Sequence, residues 1–330
     1  MKTGIIGYGR MGKLYHEVLN ELGFELKFIC DVKNDVNDTY FFNDFKSAID
    51  SSKIDLLIIS TYGPSHYEIL KFAIKKNIKY IICEKPFTTS LKHADEIIDL
   101  LKTSQTRLSV GYLRRYSDTY SKLLIKLNEN KIVGEINSII ITSGAGGVST
   151  LGTHFIDLCT LIFSEKIKSI YAIPVNKNYL NPRGKEFEDP GGYFILNFAN
   201  QKRAFIDMSD DLGIQPKIEI NGSYGRVEIN EINKKIIAHS RNNEDREKPM
   251  NLYGLNNEII FDEIFNFESL KKLIKNMIDN LISDNELKIS IDIVRDKVEA
   301  YSAIRESFDT KKIVNLPIKG EYYEKEFKVT

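Results

Sequence analysis

In the first third of the chain, apolar residues gather in short runs. Between the runs they recur every third or fourth position. The runs over 2–7, 25–30, 55–60, 79–83 and 107–111 include stretches such as Leu56-Leu57-Ile58-Ile59, apolar at successive positions. That is the pattern of strands buried on both faces. The segments 11–22, 65–76 and 90–103 have helical periodicity. Ser90 stands where an N-cap belongs, and Pro64 suits the first turn of its helix. Strands alternating with helices predict a parallel sheet covered on both faces.

From about residue 117 the pattern changes. A helix (117–130) leads to a strand (135–142), a Gly/Ser-rich loop (143–150) and a helix (152–163). Strand-like runs follow over 167–175, 192–199, 202–208, 216–221, 225–229 and 233–238, joined by turns such as Asn221-Gly222-Ser223. Helices over 266–283 and 290–308 close the chain. The reading is α/β: a doubly wound parallel sheet in residues 1–117, then an α+β domain in 118–330 built on a mostly antiparallel sheet. Alternation in Tyr193-Phe194-Ile195-Leu196-Asn197-Phe198 leaves one sheet face uncovered, and a homodimer or homotetramer through that face is expected.

Composition narrows the function. The 330 residues suit two domains, and 42% apolar with 28% charged residues describes an ordinary globular protein. Lys and Arg balance Asp and Glu at 46 each, which argues against nucleic acid or an anionic membrane as the partner. The longest apolar runs are strand-length, so no membrane span is expected. The chain begins on a strand with no signal-peptide pattern. Cys30, Cys83 and Cys159 lack metal or redox spacing, which fits a reducing cytoplasm.

Gly7-Tyr8-Gly9-Arg10-Met11-Gly12 is a G-x-G-x-x-G between a predicted strand and a predicted helix. There Gly7 makes the tight turn, Gly9 lets backbone approach a pyrophosphate, and Gly12 lets helix and strand pack. Free N–H groups of the helix start, at Arg10 and Met11, face the phosphates. Asp31 ends the second strand, 19 residues after Gly12, where a carboxylate accepts from the adenosine ribose and repels a 2′-phosphate. NAD is therefore expected over NADP, with Lys33 as a nearby cation that softens the preference. Glu84-Lys85-Pro86 follows the strand Tyr80–Cys83, at the sheet edge where such folds hold ligands. Alone, the tripeptide reads equally well as a solvated lysine in a turn.

Together these motifs resemble the Gfo/Idh/MocA oxidoreductases, the family of glucose-fructose oxidoreductase and inositol dehydrogenase. Ser60-Thr61 with His66 resembles the family's cofactor-contacting turn, although Tyr62 stands where proline is usual. Glu84-Lys85-Pro86 matches the family tripeptide, and Arg115 occupies its usual arginine. Ile132-Val133-Gly134-Glu135-Ile136 resembles the start of the second sheet, Gly152-Thr153-His154-Phe155-Ile156-Asp157-Leu158 the helix carrying the catalytic histidine, and Ser290 to Leu316 the closing helix and strand. One position departs. The family usually has aspartate four residues before the histidine, and this chain has Thr150, which exchanges hydrogen bonds but takes no proton at neutral pH.

The resemblance implies a Rossmann domain, NAD, and hydride transfer between nicotinamide and a hydroxyl or ketone of a sugar, amino sugar or nucleotide-sugar. It assigns Lys85 and His154 to catalysis. Gly7, Gly9, Arg10, Met11, Gly12, Asp31, Ser60, Thr61, His66, Glu84 and Lys85 are assigned to the cofactor; Lys85, Arg115, Thr150 and His154 to the substrate. No metal is implied. Lys85 serves as base if its surroundings lower its pKa, or as a charged stabiliser of an alkoxide; His154 titrates where either proton role is open to it. Asp157, one helical turn after His154, either orients the imidazole or makes a structural contact. His16, His66, His93 and His239 have weaker claims to a proton role. The loop 176–192, basic at Lys177, Arg183 and Lys185 and acidic at Glu186, Glu188 and Asp189, is either a contact for an anionic substrate or a solvated loop. Two further readings remain: an NAD-retaining lyase, epimerase or glycosidase working by transient oxidation, and a sensor that binds nucleotide or sugar without turnover.

Overall fold

The computed structural model describes residues 1–32, 40–128, 132–175, 184, 186–249, 257–283 and 285–329. Its first part alternates β1 (Lys2–Ile6), α1 (Arg10–Glu21), β2 (Glu25–Cys30), β3 (Phe41–Phe42), α2 (Phe45–Ser51), β4 (Leu56–Ile59), α3 (Gly63–Lys75), β5 (Tyr80–Cys83), α4 (Leu91–Lys102) and β6 (Arg107–Val110). The six strands are parallel, in the order β3-β2-β1-β4-β5-β6. Every residue of β4 and β5 is buried, because helices cover both faces. The strand order reverses between β1 and β4, so a crevice opens there at the carboxyl ends of the strands. Lys33 lies outside the described residues.

Beyond it come α5 (Asp118–Asn128), β7 (Ile136–Thr142), α6 (Thr153–Phe163), β8 (Ser169–Pro174), β9 (Gly192–Asn197), β10 (Arg203–Asp207), β11 (Lys217–Gly222), β12 (Gly225–Asn230), β13 (Lys235–Arg241), β14 (Asn257–Ile264), α7 (Leu270–Ile282), α8 (Ile291–Thr310) and β15 (Val314–Asn315). Nine strands form one sheet, β14-β13-β12-β11-β7-β10-β9-β8-β15, antiparallel except where β10 runs parallel to β7. On one face Ile139, Ile141, Phe194, Leu196, Ala204 and Ile206 are buried. On the other, Tyr171, Ile195, Phe205 and Ile140 stand side by side across four neighbouring strands.

The structure adjusts the expected boundaries. β3, α2 and β14 are additional elements. The expected loop 143–150 ends in a π-helical turn, Val148–Gly152, that runs directly into α6. The helix expected from 266 starts at Leu270, where Ser269 caps it by accepting from the Lys272 N–H. Ser90 precedes α4, but its hydroxyl donates to the Glu324 carbonyl (3.2 Å) instead of capping. The last helices return to the first sheet: α7 packs on α1 and β6, and α8 on α4. Among the described residues no helix is long and apolar enough to cross a membrane.

Candidate active site

The turn after β1 is shaped for a dinucleotide. Gly7 has φ +91°, and a Cβ there would collide with the backbone of Ser60 and Thr61. A Cβ on Gly12 would strike the Gly7 carbonyl, so α1 lies close against β1. Above Gly9, in contrast, a Cβ would meet nothing within 4 Å. Gly9 is exposed and is the N-cap of α1; it brings no capping side chain, and no acidic residue sits in the first turn. An open space over a helix start with no side-chain cap fits a pyrophosphate. Asp31 reaches the same turn, its Oδ2 accepting from the Tyr8 N–H (2.7 Å). The Ser60 hydroxyl donates to the Gly7 carbonyl (2.7 Å) and ties the turn after β4 to the glycine turn. Arg10 is exposed and Met11 packs at the edge of the core.

His66 and Glu84 lie beneath this surface. His66 is fully buried, with Nδ1 2.7 Å from the Pro86 carbonyl and Nε2 3.1 Å from that of Thr61. Burial lowers its pKa while the two carbonyls pull the other way; the neutral ring donates to only one of them, from its place between the two turns that flank the crevice. Glu84 accepts from the Tyr15 hydroxyl (2.7 Å), and burial raises its pKa. Both side chains are therefore positioned to shape the crevice from below.

Lys85, on the rim, is partly exposed after a cis peptide to Pro86. Its Nζ donates to the Thr150 carbonyl (2.8 Å) in the π-turn before α6. His154 follows in the first turn of α6, partly exposed, edge-on to the Tyr112 ring with centroids 5.9 Å apart. Burial pushes its pKa well below the usual imidazole value, and the charges of Lys85 and Arg114 push in the same direction. The imidazole is thus neutral at pH 7, and less adaptable than the free residue implies. Arg114 is held beside it by a bidentate pair with Glu231 (2.7 and 2.6 Å).

Arg115 is placed differently from the expected substrate contact. It is 9% exposed, and its guanidinium grips Asp157 (Nε to Oδ1 2.9 Å, to Oδ2 3.0 Å). Asp157 also faces Lys297 on α8 (3.8 Å), so its charge is used in this cluster. Arg115 and Lys297 line a cavity of about 630 Å³ toward the far end of α6 from His154. Thr150 does lie at the rim, where its N–H donates to Asp189 Oδ2 (2.8 Å). Asp189 belongs to the loop 176–192, which from sequence is either a contact for an anionic substrate or a solvated loop, and its only local signal is the Pro190-Gly191-Gly192 turn after it. The basic residues of that loop, Lys177, Arg183 and Lys185, lie outside the described residues.

Residues 1–112 match a family described as an oxidoreductase family with an NAD-binding Rossmann fold, GFO_IDH_MocA. That match covers the dinucleotide-binding part of the chain, which is to this extent similar to the Gfo/Idh/MocA oxidoreductases. The likeness to relatives runs further. A myo-inositol 2-dehydrogenase of Thermotoga maritima is 24% identical over 275 residues, 74% of this chain and 80% of that protein. The crystal structure of myo-inositol 2-dehydrogenase from Lactobacillus plantarum superposes with a TM-score of 0.73 at 19% identity, over 96% of this chain and 99% of that one. A UDP-N-acetylglucosamine 3-dehydrogenase from Acidithiobacillus ferrooxidans reaches 0.73 at 15% identity, over 93% and 97%. The two-sheet fold is therefore shared with these dehydrogenases along nearly the whole chain.

Proposed function

We propose that this chain is a Gfo/Idh/MocA oxidoreductase, an NAD-dependent dehydrogenase that interconverts a secondary alcohol and a ketone on a cyclic polyol or sugar. Residues 1–117 hold the dinucleotide, and residues 118–330 supply the substrate side and the subunit contacts. One observation carries the reading: Lys85 Nζ donates to the Thr150 carbonyl (2.8 Å) in the turn that opens α6, four residues before His154, so both side chains belong to one rim of the crevice.

NAD, when bound, supplies the hydride acceptor, and Gly7, Gly9, Gly12, Asp31, Ser60 and Thr61 are the residues that would hold it. In oxidation the carbinol carbon loses hydride and its oxygen loses a proton, giving ketone, NADH and H⁺. His154, uncharged, accepts the hydroxyl proton, and Lys85, charged, stabilises the oxygen as negative charge develops on it. In reduction His154 returns the proton. The Thr150 hydroxyl, bonded to Asp189, keeps an oxygen lone pair with which to accept from a substrate hydroxyl. The inositol dehydrogenases among the relatives make myo-inositol the first substrate to test. The apolar row Tyr171, Ile195, Phe205 and Ile140 supports assembly through the open sheet face.

The test is Lys85→Ala in the full chain, assayed for NAD reduction with myo-inositol and a panel of sugars and nucleotide-sugars. Turnover on whichever alcohol the wild type oxidises should fall by about 10²-fold or more, while NAD still binds. Retained turnover would remove Lys85 from the chemistry. NAD-dependent conversion by the wild type without net NADH would point to transient oxidation instead.

A further inference from the structure

Residues 186–191, just before β9, lie beside the crevice. Phe187 packs edge-on against Tyr62, centroids 5.1 Å apart, just after the Ser60-Thr61 turn. The Glu188 N–H donates to the Lys328 carbonyl (2.8 Å), and the Arg305 guanidinium on α8 stands 3.6 Å from the Glu188 carboxylate. The Pro190 carbonyl accepts from the Val148 N–H (3.3 Å). Asp189 is thus anchored from both sides.

Its carboxylate grips the π-turn before α6. Oδ1 accepts from the Ser149 N–H (2.6 Å), Oδ2 from the Thr150 N–H (2.8 Å), and the Thr150 hydroxyl adds a further bond. Gly147 makes the approach possible: at φ +70°, any Cβ there would collide with this carboxylate. The carbonyl of the same Thr150 accepts from Lys85 Nζ (2.8 Å). One residue therefore carries the carboxylate's hold on its amide and the ammonium's hold on its carbonyl. Burial works against the charged carboxylate; its hydrogen bonds and the Lys85 charge work for it. A half-buried carboxylate that costs desolvation is retained here beside a cation at the rim of the site.

We propose that Asp189 is a positioning residue for hydride transfer: by clamping the Ser149-Thr150 turn it sets the Thr150 carbonyl against Lys85, and with its own charge holds the ammonium in place and protonated. This deepens the reading of Lys85 and His154 given above and rests on it.

Besides Asp189, Glu84 in its own turn, His66 on α3 and His154 on α6 face Lys85, and Tyr301 on α8 faces Asp189. All of these side chains are kept in an Asp189 variant, so a moved Lys85 titration reports the loss of the Asp189 charge. It is read without any substrate, by labelling the protein with an amine-selective reagent across pH and following the Lys85 peptide by mass spectrometry. Asp189→Asn should lower that pKa, raising Lys85 labelling near neutral pH about tenfold. NAD should bind as before, and kcat on the alcohol the wild type oxidises should fall by about 10²-fold. Asp189→Ala, which removes the charge with different hydrogen bonding, should give the same labelling shift and stands in if Asp189→Asn does not fold. A purely structural role would lower the melting temperature and leave the Lys85 titration in place. A folded, NAD-binding Asp189→Asn with an unmoved Lys85 titration overturns the inference. If Lys85→Ala stays active, the catalytic reading fails; if Lys85→Ala is inactive while Asp189→Asn behaves as wild type, only the role of Asp189 fails.

Discussion

Asp31 illustrates how one side chain serves two purposes. It accepts from the Tyr8 N–H inside the glycine turn, and it stands at the end of β2 where a nucleotide ribose would approach. Asp31→Ala removes a charged acceptor for the ribose and also removes the charge that repels a 2′-phosphate. The ratio of NAD to NADP affinity should fall by about tenfold or more, measured by fluorescence titration of both nucleotides. An unchanged ratio would place the ribose elsewhere. Residues of this kind were legible in the sequence because a strand, a glycine turn and a helix fix their place in the fold. Which way a side chain then turns is decided by its neighbours in three dimensions. Arg115 stands on its motif yet faces Asp157, because that buried carboxylate needs a bidentate partner. His66 likewise turns its ring nitrogens toward backbone carbonyls. Asp189 was illegible as a site residue, since it meets Ser149 and Thr150 only when a loop some 40 residues along the chain folds back.

Along α8 one buried cation has no need of its charge. Lys297 is 1% exposed, donates to the Thr160 hydroxyl (2.7 Å) and faces an Asp157 already paired with Arg115. Desolvation lowers its pKa from 10.5 to about 8, although Asp157 pulls the other way. A lysine whose pKa is lower folded than unfolded binds fewer protons in the native state between those values. Its contribution to stability therefore rises with pH from about 8 to 10.5 and is least favourable below 8. Lys297→Met should stabilise the protein by about 2 kcal/mol at pH 7, and the advantage should shrink as the pH is raised toward 10. Thermal melts at a series of pH values check this; an advantage that grows with pH would contradict the buried-charge argument. Such a lysine reads from sequence as surface, because helical periodicity gives the face and not the partner that closes over it. Elements were missed for similar reasons. β3 has only two residues, and α2 only seven, its one signal being Asp44 as N-cap for Ser47. β14 carries Glu258, Asp262 and Glu263 on a sheet edge, where charge replaces clean alternation.

At the scale of the whole molecule, the described residues leave an apolar sheet face open. The open face of the nine-stranded sheet aligns Tyr171, Ile195, Phe205 and Ile140, with Glu219 next in register. Phe205→Asp places a charge in the middle of that row, on the side away from the buried Ala204 and Ile206. If copies of the chain associate there, light scattering should show the variant at a lower mass than the wild type, with NAD affinity unchanged. An unaltered mass would move the contact to another surface. The path of the chain carries a last consequence. After crossing the second sheet it comes back to lay α7 on α1 and β6, and α8 on α4, with Lys271 and Lys275 reaching Glu17 and Glu21 on α1. A chain stopped at residue 117 would keep every glycine and carboxylate of the nucleotide turn but lose the cover of its own sheet. Shelter for the fingerprint thus comes from helices at 270–282 and 291–310, and a change at the buried Met277 or Ile278 can be felt at the nucleotide turn.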